Sequence, residues 1–288
     1  MKKKILFLLV LLVIAVSTTG CKQDNMEDIE IAVTNYPNEY VINRLYGKHA
    51  TLNQVYPDSI DVDTYNITKK QKSNYSKMDL FVYTGLIEKE RKLAVDLLDL
   101  NSDLKIIDTS YVLETEYSNE ELWLNPSSLL MTAQNVRLGL KEYITSTYLS
   151  KEVDDAYNQL KIDLSELDAD YRVTVDNTDN KTILVGDSSL KFLKKFGLNV
   201  ICVDSDTSAK ELNDIALLIK NKSVNYIYGY KNEELNEVAK GVITSNPTMK
   251  ELKLNKLNVI SDSDRNENKD YITLMNENLD LLKQELYQ

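Results

Sequence analysis

Residues 153–171 read VDDAYNQLKIDLSELDADY, and the apolar members Val153, Tyr157, Leu160, Leu164, Leu167 and Tyr171 fall at alternating intervals of four and three with no Gly or Pro between them. That spacing lays one apolar stripe along a helix. It predicts a single amphipathic helix of roughly 20 to 25 residues, about 30 to 37 Å long at a rise of 1.5 Å per residue. A free coiled coil would need a second segment of the same kind, and the chain has only this one.

On both sides of this segment, short β-rich runs alternate with helical patterns. Strands are expected at Ile29 to Thr34, Leu52 to Tyr56, Leu80 to Tyr83 and Leu104 to Asp108, with helices opened by Pro37 and spanning Leu86 to Leu98. After it, strands are expected at Thr182 to Val185, Val200 to Val203, Asn225 to Tyr228 and Asn258 to Ile260. The intervening sets Leu212, Ile215, Ala216, Ile219 and Leu235, Val238, Ala239, Val242 both fit one helical face. Strands alternating with helices imply parallel sheets covered on both faces. The expected fold is therefore α/β, with two lobes, each a mostly parallel four-stranded sheet flanked by helices, joined by one long helix. The boundaries read as 29–149 for the N-terminal lobe, 150–176 for the linking helix and 177–288 for the C-terminal lobe.

The start of the chain carries an address. Met1-Lys2-Lys3-Lys4, the apolar stretch Ile5 to Val16 and then Ser17-Thr18-Thr19-Gly20-Cys21 make the three regions of a secretory signal. The apolar stretch is shorter than the roughly 20 residues a spanning helix needs, which favours cleavage over permanent insertion. Gly20-Cys21 resembles the lipobox of bacterial lipoproteins, with Thr18 where that box usually has Leu; an ordinary secretory signal is the alternative. Residues 1–20 then form the signal peptide, Cys21 takes the lipid, and residues 21–28 are a lipidated tether. The resemblance implies a chain held on the extracytoplasmic face of the cell membrane.

Composition narrows the partners. Three of the 34 basic residues lie in the leader, leaving 31 against 45 acidic residues, a formal charge of −14. Phosphate backbones need a basic face, so nucleic acid is excluded as a partner. Cys202 is the only cysteine besides Cys21, and with Cys21 lipidated no internal disulfide can form. Eight glycines and no G-x-G-x-x-G or Walker pattern argue against a phosphate-binding loop. Without that, a nucleophile motif or a usable histidine, an enzyme is not expected and no catalytic cofactor is called for.

Several stretches, in order, carry a family resemblance. Ile31 to Pro37 (IAVTNYP), Val55-Tyr56-Pro57 before Asp61 to Tyr65 (DVDTY), Lys77 to Gly85 (KMDLFVYTG) followed by Glu88, Glu121 to Pro126 (ELWLNP), Phe192 to Leu198 (FLKKFGL) and Tyr271 to Leu282 span most of the chain. Together they resemble the substrate-binding lipoproteins of zinc and manganese ABC importers. The resemblance implies a divalent cation, Mn or Zn, held between the lobes and an ABC permease as partner. It places the four metal-ligand positions at Asp63, Glu121, Gly186 and Asp262, with Asp187 able to fill the place Gly186 leaves empty. None is histidine. Oxygen ligands suit hard cations such as Mn, whereas zinc sites are built mainly from His and Cys. Tyr65 and Trp123 are expected on the cleft wall, with Tyr228 near it, and tyrosinate with carboxylate would also suit a ferric ion.

Each of these residues has a plainer reading. Asp63 is a turn aspartate, Glu121 a solvated glutamate beside Glu120, Asp187 a helix N-cap, Asp262 part of a polar turn, Trp123 core, and His49 a solvated surface residue. The second functional class consistent with the sequence is a surface lipoprotein that kept the fold but lost the metal, acting as an adhesin or scaffold.

Overall fold

The computed structural model describes residues 26–287. The signal peptide, Cys21 and the start of the tether lie outside the described residues. Strands β1 (Ile29–Val33), β2 (Ala50–Gln54), β3 (Leu80–Tyr83) and β4 (Lys105–Asp108) form an all-parallel sheet in the order β2-β1-β3-β4. A second, β5 (Thr182–Val185), β6 (Asn199–Cys202), β7 (Tyr226–Tyr230) and β8 (Lys250–Leu254), repeats that pattern as β6-β5-β7-β8. Central strands buried on both faces explain the apolar runs LFVY in β3 and ILV (183–185) in β5.

The helices of the first half are α1 (Tyr36–Tyr46), α2 (Lys69–Tyr75), α3 (Glu88–Leu100), α4 (Glu121–Leu124) and α5 (Pro126–Tyr143). The linking helix α6 runs Thr147–Asp176, 30 residues or about 45 Å, longer than its apolar stripe alone marks out. The extra turns are set by the Ser146 cap, whose side chain accepts the Leu149 N–H at 3.3 Å, and end at Asn177. A 3-10 helix (Ser188–Phe196) follows β5, and α7 (Ala209–Lys220), α8 (Glu237–Ser245), α9 (Asp262–Asn266) and α10 (Tyr271–Leu286) complete the second half. Helix α5 was not anticipated, although Leu129, Ala133, Val136 and Leu140 share one buried face of it. It packs along α6 as the main partner of the linking helix.

Two strand expectations need correction. The second strand begins at Ala50, and the last is the polar KELKL of β8, not Asn258 to Ile260. An edge strand tolerates such lysines, whose long stems lie along the sheet while the charges reach water. Residues 258–260 spend their backbone on the other lobe instead: Asn258 O accepts from Tyr36 N at 3.1 Å and Ile260 O from Ser59 N at 3.0 Å.

The core is also more shared than two separate lobes imply. One apolar cluster runs through both, from Val33 and Leu80 past Leu129 and Leu164 to Val185 and Leu279, while Phe81 with Leu97 and Leu184 with Ile227 anchor smaller clusters under the outer helices. Arg265 of α9 closes the seam at the surface. Its guanidinium bonds both oxygens of Glu39 at 2.9 and 3.0 Å and reaches Asp58 at 2.8 Å.

Candidate functional site

In each sheet the strand order reverses beside the first strand, between β1 and β3 and between β5 and β7. In open α/β sheets the crevice for a ligand lies past the carboxyl ends of the strands at such a switch point. Beside these points the segments leaving β2, β7 and β8 enclose a cleft of about 720 Å³ between the lobes, lined among others by Ser59, Asp63, Lys231, Glu233, Lys256 and Asp264. Three of its lining residues, Ser59, Asn232 and Leu257, have left-handed backbone (φ 58°, 63° and 63°). Such conformations are costly for a branched residue such as Leu257 and persist only where the surroundings hold them.

The first wall is the loop after β2. Lys89 of α3 donates its ammonium to the carbonyls of Val62 at 2.6 Å and Tyr65 at 2.7 Å, which pins the loop and leaves the Asp63 side chain exposed at the cleft. Asp61 is turned inward on its own loop, accepting from Asp63 N and Thr64 Oγ1 at 3.0 and 2.9 Å. Asp262, in the first turn of α9, is exposed, and its N–H donates to Ser59 Oγ at 3.0 Å across the lobes.

Glu121 and Asp187 are placed differently. Glu121 is 1 % exposed, ion-paired with Lys195 of the 3-10 helix and accepting from Glu116 N at 3.0 Å. It is neither solvated nor in the cleft. Its neighbour Glu120 pairs instead with a cleft residue, its Oε1 at 3.8 Å from Lys256 Nζ. Asp187 caps the 3-10 helix, accepting from Ser189 N at 2.8 Å and Ser189 Oγ at 2.6 Å. No side chain can be added at Gly186 without moving Leu235, whose Cδ2 would stand 2.4 Å from a Cβ there. Among the described residues no three His, Cys, Asp or Glu side chains stand close enough to hold a metal ion together. The expected convergence of 63, 121, 187 and 262 is therefore corrected among the described residues: Glu121 and Asp187 carry structural bonds, and Asp63 and Asp262 are exposed.

The expected wall residues sit behind the cleft. Trp123 is buried, and its indole N–H donates to Lys256 O at 2.8 Å. Tyr65 packs edge-on against Tyr56 and accepts from Gln71 at 2.7 Å. Tyr228 is fully buried, donating to Leu281 O at 3.2 Å, so its hydroxyl is turned away from the cleft, and burial raises its phenol far above the ordinary value. His49 bonds Glu152 of α6 at 2.8 Å and packs on Tyr46, so it ties the turn between α1 and β2 to the linking helix instead of standing free in solvent.

A second polar cluster was missed. At the carboxyl end of β1 the fully buried Glu90 accepts from Thr34 Oγ1 at 2.5 Å, Thr84 N at 2.7 Å and Asn35 Nδ2 at 3.0 Å. Burial pushes its carboxyl up to about 7 against the pull of those donors. The signal was in the sequence: Glu90, Leu93, Ala94 and Leu97 share one helical face, a carboxylate on an apolar stripe.

Two parallel sheets facing each other over a cleft, tied by one long helix and a shared core, define a two-lobed binding protein. A profile of the family described as zinc-uptake complex component A, periplasmic (ZnuA), matches residues 31–285. The chain belongs to this family, that of the substrate-binding components of metal-type ABC importers. It is 23 % identical to the high-affinity zinc uptake system protein ZnuA of Bacillus subtilis over 94 % of this chain and 91 % of that one. It is 24 % identical to the zinc-binding protein AdcA of Streptococcus pyogenes over 56 % of this chain, an alignment that spans 32 % of the relative's length. The metal-dependent lipoprotein YcdH of Bacillus subtilis superposes with a TM-score of 0.74 at 20 % identity, over 91 % of this chain and all of that one. The Zn(II)-bound ZnuA-like domain of Streptococcus pneumoniae AdcA superposes with a TM-score of 0.71 at 20 % identity and the same coverage. At such identities the superpositions speak for the fold.

Proposed function

We propose that this chain captures a divalent cation, zinc or manganese, on the extracytoplasmic face of the membrane and hands it to the permease of a metal-type ABC importer. The observation that carries this reading is the cleft itself. It lies between the lobes, its N-terminal wall presents Asp63, and its C-terminal wall presents Glu233. Membership in a zinc-uptake family supports a metal as the cargo. Asp63 and, at the rim, Asp262 are the proposed first contacts for the ion. Glu121 and Asp187 could join only by giving up Lys195 and Ser189. An all-oxygen set predicts weaker capture than a histidine site and a preference for manganese, although zinc competes through its higher intrinsic affinity. The lobe boundaries 29–149, 150–176 and 177–288 and the lipid on Cys21 belong to the same proposal. The adhesin reading has less support, since the likeness to laminin-binding protein Lmb of Streptococcus agalactiae, at 18 % identity, concerns the fold.

One experiment with two arms tests it. The purified chain is melted with Mn, Zn, Mg, Ca and Fe salts, alone and as Asp63→Ala and Asp262→Ala. Binding to the native state adds about 2.7 kcal/mol at a hundredfold excess over Kd, visible as a raised Tm. At least one metal should shift the melt and Asp63→Ala should remove most of the shift; no shift with any metal sinks the capture reading. In cells, Cys21→Ala should leave the protein in the medium or as uncleaved precursor, and a mature Cys21→Ala protein still on the membrane would refute the anchor.

A further inference from the structure

The cleft already holds a cation of the chain's own. Lys256, just past β8, places its ammonium 2.9 Å from Glu233 Oε1 and 3.8 Å from Glu120 Oε1, with only 19 % of its side chain exposed. It also lies 5.3 Å from the centroid of the Tyr230 ring. The backbone beneath it is held from three directions. Trp123 donates to Lys256 O at 2.8 Å, Asn278 Oδ1 accepts from Asn255 N at 2.7 Å, and Leu257 turns through a left-handed conformation. The charge is thus aimed, not merely present. Its partners come from both halves of the chain, Glu120 ahead of α4 and Glu233 after β7. Burial on its own would lower the ammonium's pKa, but Glu233, Glu120 and Asp187 outweigh it and raise it.

We infer that the Lys256 ammonium is the resident counter-cation of the inter-lobe cleft, which an incoming metal ion must displace. The inference rests on the cation-capture reading above. Glu120 and Glu233 cannot serve an ammonium and a divalent ion in one place, because two positive centres about 4 Å apart in a half-buried site repel strongly. Displacement needs no backbone motion, since Trp123 grips only the carbonyl and the four-carbon stem can swing toward water. Lys256 therefore sets metal affinity without being a ligand, and its removal exposes the carboxylates that it now neutralises.

The test is calorimetric titration of the purified chain with zinc chloride and manganese chloride, comparing wild type, Lys256→Gln and Lys256→Arg, with melts in metal-free buffer alongside. Lys256→Gln should melt lower than wild type without metal and bind at least one of the two ions roughly tenfold tighter or more, since ion and ammonium are linked competitors. Lys256→Arg keeps the charge and so guards against a folding defect; it should bind as wild type does, or more weakly through its forked grip on carboxylates. Equal affinity in wild type and Lys256→Gln overturns this inference and leaves the capture reading standing. Tighter binding by Lys256→Arg than by wild type also overturns it. Absence of binding by all three chains overturns the capture reading and this inference together.

Discussion

At the residue scale, one step along the chain separates two fates. Glu120 and Glu121 are adjacent, and about 100° of helical rotation sends one toward Lys256 and the other into the core against Lys195. Sequence pattern marks the ELWLNP stretch but cannot choose between the two, since both are acidic and the choice depends on what packs opposite. Glu90 gives the residue-scale prediction. Its carboxyl sits at about 7 in the fold against an ordinary 4.5, so the folded state holds the proton more firmly. The stabilisation tied to that proton is complete below about pH 4.5 and is lost as pH rises through about 7, an effect on the order of 3 kcal/mol. Glu90→Gln has no proton to titrate at this place and should abolish the slope. Urea unfolding of both chains between pH 5 and 8 measures it, and parallel profiles would show that Glu90 stays ionised throughout.

At the scale of elements, the linking helix was legible because an amphipathic stripe is a local, periodic signal. Leu160, Leu164 and Leu167 are all buried, while Ile162 on the same helix is 51 % exposed. This contrast makes a paired prediction. Leu164→Ala should cost about 2 to 5 kcal/mol through lost burial and the cavity left behind. Ile162→Ala should stay within about 0.5 kcal/mol. Equal costs in chemical denaturation would mean that the helix is rotated from the orientation described. Helix α5 carries an equally local stripe in Leu129, Ala133, Val136 and Leu140, and so was legible by the same rule. The last strand, by contrast, was misplaced. Asn258 to Ile260 has the composition of a strand, but its carbonyls satisfy Tyr36 and Ser59 of the opposite lobe.

At the scale of the whole molecule, closure depends on that cross-lobe seam. Arg265 bridges Glu39 and Asp58, which lie more than two hundred residues away in sequence. The guanidinium is 39 % exposed, so solvent screening limits its worth to about 1 kcal/mol despite the forked geometry. Arg265→Ala should raise amide exchange across residues 255–266 and at Ser59 while leaving α6 protected, and Arg265→Lys should restore little because an ammonium cannot span both carboxylates. Unchanged exchange in Arg265→Ala would show that the shared core alone keeps the lobes together. A stiff 30-residue helix and a common core also predict little bending on cation binding, which small-angle scattering with and without metal would detect.

The sequence by itself determined the alternation of strands and helices, the linking helix, the family and the acidic surface, because periodicity, order of motifs and charge are properties of short stretches or of the whole count. The identity of the cleft's charges was decided by the tertiary structure. Lys256, Glu233 and Glu120 have no spacing that relates them, and the indole that fixes Lys256 comes from 133 residues earlier. Whether a carboxylate is free to meet a cation depends on the partner that folding brings beside it, as Lys195 is brought to Glu121 from 74 residues away. That pairing is fixed by packing between elements, where energies of a few kcal/mol turn on contacts that no local pattern encodes.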